Sequence, residues 1–184
     1  MGKKLAVFDL DGTMTSKDTM LEFIRYWKGG DKLLRSMIML SPLLILNKFG
    51  LYSSEKAKKK LLARHLKGEK IEDIQKKAEA FTREIMPGIL RPKALEQLQF
   101  HRSKGHEVVV ISASLDLWIA PWLTRQNLDF HCTKGEIKNG IFTGEFTTPN
   151  CNGAEKLRIL KANYTLSDYE MIFVYGDSRG DREM

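Results

Sequence analysis

Two cysteines, Cys132 and Cys151, stand in a chain of 184 residues. That is too few for a disulfide framework, and no metal-ligand spacing joins them, so zinc is not expected and a reduced cytoplasmic setting is the simpler one. No internal repeat or low-complexity tract occurs, which leaves one globular unit with room for an insertion. No apolar run reaches the ~20 residues that cross a bilayer. The longest, Leu33 to Leu46, has 14 residues and is interrupted by Arg35, Ser36, Ser41 and Pro42. It either packs inside the protein or lies on a membrane surface or apolar substrate, beside Lys32 and Lys48. Lys3 and Lys4 precede too short an apolar run for a signal peptide. The expected localisation is therefore cytoplasmic, peripheral to a membrane if the 33–46 stretch lies on one.

What is present is an ordinary soluble composition, 42% hydrophobic and 29% charged, with a net charge of +7. The charge is uneven. Residues 16–86 hold 16 Lys and Arg against 9 Asp and Glu, whereas the rest of the chain holds 14 of each. The excess either attracts anions or is a solvated helix face. It lacks the interleaved aromatics that stack bases, so no nucleic-acid partner is expected.

The patterning divides the chain. Leu5 to Phe8 is an apolar run without alternation, as expected of a buried parallel strand. Residues 16–86 read as helical throughout. One helix runs from Thr19 to Trp27 and a second starts near Asp31 and meets Pro42; a third is capped by Ser53 or Ser54. A fourth spans Ile71 to Ile85, and Pro87-Gly88 ends the segment. Strand and helix then alternate: a helix from Pro92 to Lys104, a buried strand from Glu107 to Ile111, a helix from Leu115 to Asn127. A hairpin follows from Cys132 to Phe146 about Asn139-Gly140, then a helix from Ala154 to Ala162 and another buried strand from Met171 to Tyr175. This alternation predicts an α/β fold with a doubly wound, Rossmann-like parallel sheet. Residues 1–15 and 87–184 would form the core, and 16–86 a helical insertion.

Ligands of such sheets bind beyond the carboxyl ends of the strands. Asp9 ends the first strand, Ser112 the second, and Asp177 follows the last, so three polar groups converge on one rim. Asp9 and Asp11 lie two residues apart in a glycine-containing turn, where a buried carboxylate needs a cation or hydrogen bonds to compensate it. The alternative is a plain Asx-type turn. As chemistry, Asp9 is the nucleophile for a phosphoryl group, and Asp11 protonates the leaving oxygen and then activates water. Ser112 offers a hydroxyl to phosphate oxygens. Ser114 is the expected cap of the following helix. Lys156, early in its helix, pairs with Asp9 and with phosphate. Asp177 suits a direct metal ligand and Asp181 a hydrogen-bond acceptor behind it.

Together these residues resemble the haloacid dehalogenase superfamily of phosphatases. Asp9-Leu10-Asp11-Gly12-Thr13 is similar to its first motif, Ser112 to its second, Lys156 to its third, and Gly176-Asp177 with Asp181 to its fourth. The helical insertion resembles the small cap of the phosphoserine phosphatase-like branch, as do the hairpin and Asn152-Gly153-Ala154-Glu155-Lys156. The resemblance implies Mg²⁺ held by Asp9, the Asp11 carbonyl and Asp177, and a cap that closes over substrate. It implies a phosphomonoester hydrolase acting through phospho-Asp9 on a small phosphorylated metabolite or a phospholipid head-group phosphate. A phosphotransferase and a receiver-like signalling module are the alternatives. Two departures argue against phosphoserine: Asp18 stands where that branch has Glu, and Ala113-Ser114 where it has glycines. Arg64 is the candidate cap residue for a substrate anion. The Leu33 to Leu46 stretch resembles the phosphatidylglycerophosphatase C-like members. Met184 falls within the helix expected after the fourth motif, so the chain reads as a fragment of a longer protein.

Overall fold

The computed structural model describes residues 2–49 and 51–184. Its centre is a four-stranded sheet of β1 (Lys3–Phe8), β2 (Glu107–Leu115), β3 (Asp129–Thr133) and the C-terminal strand Tyr169–Tyr175 in the order β3-β2-β1-C-terminal strand. Every neighbouring pair is parallel. The chain steps outward from β1 to β3, then returns to the opposite side of β1. The order reverses there, and that reversal opens a crevice at the carboxyl end of β1.

Leu5, Ala6, Val7 and Phe8 are all fully buried because helices cover both faces of the sheet. The period of two sends Leu5 and Val7 to one core, with Val109, Ile111 and Leu160, and Ala6 and Phe8 to the other. The insertion between β1 and β2 comprises α1 (Thr19–Lys28), α2 (Gly30–Lys48), α3 (Ser54–Leu66) and α4 (Ile71–Glu84), followed by the single turn α5 (Met86–Ile89) and α6 (Pro92–Ser103). Helix α7 (Asp116–Arg125) connects β2 to β3. A hairpin of β4 (Gly135–Lys138) and β5 (Ile141–Phe146) precedes α8 (Ala154–Asn163), and the C-terminal strand is β6.

The insertion is tied down at two places. Phe23 of α1 stacks on Trp118 of α7 with centroids 5.5 Å apart, and α4 lies along α7. The α3–α4 loop is hydrogen-bonded to the hairpin: Gly68 N–H donates to the Phe142 carbonyl at 2.9 Å, and Ile71 N–H to that of Gly140 at 2.8 Å. Asn139 and Gly140 have φ of 51° and 76°, the pair of positive values that a two-residue hairpin turn requires.

Four expectations are corrected. Helix α2 continues through Pro42 instead of breaking. The missing N–H would have bonded the Ile38 carbonyl, and the Ser41 hydroxyl donates to that carbonyl instead, at 2.7 Å. Pro87 and Gly88 do not end the helical path but lie in α5. Cys132 and Thr133 belong to β3 of the main sheet, where Cys132 pairs with Ser112, and the hairpin starts at Gly135. Strand β6 is not buried throughout, since it lies at the sheet edge with Met171 46% and Val174 41% exposed. Both cysteines are free and buried.

Candidate active site

Asp9 follows β1 directly, and its N–H donates to the Tyr175 carbonyl at 2.9 Å, which extends the β1–β6 ladder by one bond and fixes the residue at the crevice. Its side chain is buried, and Oδ1 accepts from Lys156 Nζ at 2.5 Å. Burial pushes the Asp9 carboxyl up to about 6, against the pull of the Lys156 charge and hydrogen bond; Asp181 and Asp11 add to the rise. Lys156 is itself 1% exposed and also donates to Asp181 Oδ1 at 2.6 Å. Burial alone would lower the Lys156 ammonium, but two carboxylates outweigh it and hold the group above its ordinary range. Asp181 is held below its ordinary range despite burial, by Lys156 and by Ser178. Its second oxygen accepts from the Ser178 hydroxyl at 2.7 Å and the Ser178 N–H at 3.0 Å. Both Asp181 oxygens are thus engaged.

Asp177 leaves β6 into the same crevice but stays exposed. One oxygen each from Asp9, Asp177 and Asp181 lie within 4.8 Å of one another. Gly12 makes the close approach possible: at its φ of 87°, a Cβ would sit 2.2 Å from Asp177 Oδ2. An all-oxygen donor set with three carboxylates round one ammonium fits a hard divalent cation such as Mg²⁺.

Asp11 points away from that cluster. Oδ1 accepts from the Thr19 N–H at 2.6 Å, and Oδ2 from the Ser114 hydroxyl at 2.5 Å. The Thr19 and Ser114 hydroxyls lie 2.9 Å apart, and Trp118 Nε1 donates to Thr19 Oγ1 at 3.2 Å. The second carboxylate is therefore seated where the insertion begins, by groups from α1, β2 and α7. Ser114 was expected to cap α7. That helix has no side-chain cap, because β2 runs on to Leu115 and puts that residue at the cap position; Ser114 lies within the strand and gives its hydroxyl to Asp11. Ser112 is fully buried, and its Oγ accepts from the Ser114 N–H at 3.1 Å.

Asp18 caps α1, accepting from the Leu21 N–H at 3.0 Å. It keeps contact with water, yet the protein crowded round its carboxylate and the Asp11 charge both push it up. Arg64 is not brought to the cluster. Its Nε donates to Ser36 Oγ at 2.9 Å, between α2 and α3. The residue of α3 that does reach the rim is Lys58, six positions earlier and so about 240° round the helix. Lys58 Nζ donates to the Ala113 carbonyl at 2.8 Å and lies 3.4 Å from Asn150 Oδ1. Burial lowers the Lys58 ammonium, while the charges of Asp18 and Asp11 push the other way. Lys58, Ser114 and Thr19 were missed in the sequence. Lys58 lies in the run Lys58-Lys59-Lys60, where nothing local separates it from two surface lysines.

A doubly wound sheet with paired acids and a buried lysine at its reversal point, under a helical insertion, defines a class. The haloacid dehalogenase-like hydrolases match residues 6–184, and the chain belongs to that family. Among individual proteins it is similar to Protein CicA of Caulobacter vibrioides (strain NA1000 / CB15N), 31% identical over 186 residues, covering 98% of this chain and 81% of that one. Solved structures with the same fold include a protein with unknown function from Bordetella pertussis Tohama I, at TM-score 0.80 and 22% identity over 100% of this chain and 86% of that one. A phosphoserine phosphatase in its phospho-aspartyl intermediate analogue form superposes at TM-score 0.70 and 21% identity, covering 100% of this chain and 82% of that one.

Proposed function

We propose that the chain is a Mg²⁺-dependent phosphomonoester hydrolase that works through an aspartyl-phosphate on Asp9. The observation that carries this reading is the separation of the two acids. Asp9 is buried and clamped by Lys156, whereas Asp11 lies two residues on and is held by hydroxyl and amide groups alone.

Asp9, Asp177 and the Asp11 carbonyl would hold the cation, with Asp181 behind them. When bound, it supplies positive charge to the phosphoryl oxygens. Lys156 holds Asp9 by Oδ1, leaving Oδ2 to attack phosphorus. The bond from Oδ2 to phosphorus forms as the bond to the leaving oxygen breaks, and Asp11 gives that oxygen a proton. Asp11 then takes a proton from water, whose oxygen attacks phosphorus and releases Asp9. Ser112 and the neighbouring backbone N–H groups serve the phosphoryl oxygens. A departing halide needs no proton, so Asp11 favours phosphate over dehalogenation.

The substrate class is a small phosphate ester, either a soluble metabolite or a lipid head-group phosphate. Asp18 and Lys58 flank the leaving-group side, and Lys58 brings a cation from the insertion to an anionic substrate. Asp9→Asn should cut Mg²⁺-dependent release of phosphate from an aryl phosphate at least about a thousandfold. Undiminished turnover in that variant would overturn the proposal.

A further inference from the structure

Helix α2 has two unlike sides. Leu33 and Ser36 are buried, with Met37 and Leu40 beside them against the protein. The opposite side is apolar too. Leu34, Ile38, Ile45 and Phe49 stand at i, i+4, i+11 and i+15, which is one face at 100° per residue. They are 60%, 64%, 56% and 74% exposed, and Met39 and Leu51 extend the patch. Proteins that live free in water rarely leave several large apolar side chains, each more than half exposed, along one helix face.

Beside this face, on the flank of α2 that turns toward α3, lies a notch of about 420 Å³ lined by Lys32, Arg35, Ser36, Arg64 and His65. No carboxylate lines it. Among the described residues, Lys32, Arg35 and Arg64 have no ion-pair partner, and His65 Nε2 is buried without a hydrogen-bond partner. Asp31 is the one acid of α2. No described helix is long and apolar enough to cross a membrane.

We propose that this face and its notch dock on an anionic lipid bilayer: α2 lies in the interface with its outer side among the acyl chains, and lipid phosphates enter the notch between Lys32, Arg35 and Arg64. Charge decides between this partner and a second copy of the chain. Two copies meeting here would bring together two segments that each carry the whole excess of positive charge, with Asp31 as the one acid of either α2 to offset it. An anionic surface supplies the missing counter-charge and covers the apolar side in one step. The proposal does not rest on the hydrolase reading.

The test is co-sedimentation of the full chain with phosphatidylcholine vesicles, with and without phosphatidylglycerol, alongside aryl-phosphate turnover. Binding is expected only to the anionic vesicles and should fall with salt. Ile38→Asp and Arg35→Glu should each weaken it about tenfold or more while leaving turnover unchanged. Equal binding to neutral vesicles, or none to anionic ones at low salt, overturns the proposal. So does a dimer in light scattering that Ile38→Asp dissolves. If the parent chain lacks phosphatase activity, the hydrolase reading fails alone, and sedimentation still decides this one with circular dichroism as the check on folding.

Discussion

The rim of the sheet and the outer side of α2 handle side chains in opposite ways. At the rim, charge is buried: Asp9, Lys156 and Asp181 are all under 10% exposed, and each is matched by a partner within 2.6 Å. On α2, apolar groups face outward with nothing against them. Isolated ions in a low-dielectric site cost several kcal/mol each, so the rim is stable only as a complete set. The α2 face has no such mutual dependence. Its residues contribute little to the fold, which leaves them free to serve a partner. Damage to the first region should therefore spread through the fold, and damage to the second should not.

Lys156→Met should give the largest effect on stability. It strands two buried carboxylates and should cost about 3 to 5 kcal/mol in urea unfolding of the metal-free chain. The loss depends on pH. The folded chain raises Asp9 from 3.8 to about 6, so this group's contribution to stability is whole below 3.8 and is lost as pH climbs through 6. Lys156 restrains that rise and holds Asp181 down. Without it, both carboxylates resist ionisation further, so the deficit should widen from acid toward neutral pH and narrow again when Mg²⁺ is added. A deficit that does not change with pH would mean that packing of the lysine stem, not its charge, holds the rim.

What could be read in the sequence follows the same division. Asp9 and Asp177 were legible because strands ending in turns deliver them to one rim, and chain order alone places such rims together; Lys156, in α8, and Asp181, in the turn after Asp177, were legible only through that pair. Lys58 was not, because its direction depends on how α3 settles against the hairpin, a tertiary fact with no local signature. Ser114 is no cap because β2 continues to Leu115, and where a buried strand gives way to a helix has no sharp local signal. The course of α2 through Pro42 was not legible, because proline alone signals a stop and the Ser41 bond to the freed Ile38 carbonyl is seen only in the folded chain. The Leu33 to Leu46 stretch was recognised as apolar, but only packing could reveal that half of it faces outward.

Lys58→Met joins the two regions, since α3 sends Lys58 to the rim and Arg64 to the α2 notch. The expected result is a loss of about 10- to 100-fold in kcat/KM, with little change in Tm, because the ammonium leaves no buried carboxylate behind. Arg64→Met should spare turnover of a soluble aryl phosphate. If Arg64 proves the more costly, the cap opens and closes far enough to exchange the two residues, and the substrate lies against the other side of α3.

The smallest effect belongs to Ile38→Ser. The side chain is 64% exposed, so the folded chain gives up little apolar contact. Surface changes of this kind fall within about 0.5 kcal/mol of the parent. Urea midpoints for Ile38→Ser and the parent should therefore coincide, in contrast to Lys156→Met. A cost above about 2 kcal/mol, the scale of a buried aliphatic side chain, would mean that the face is already covered in solution. In that event the midpoint should rise with protein concentration, as it does when folding is linked to self-association. A small cost that is independent of concentration leaves the outer side of α2 as surface that the fold does not need.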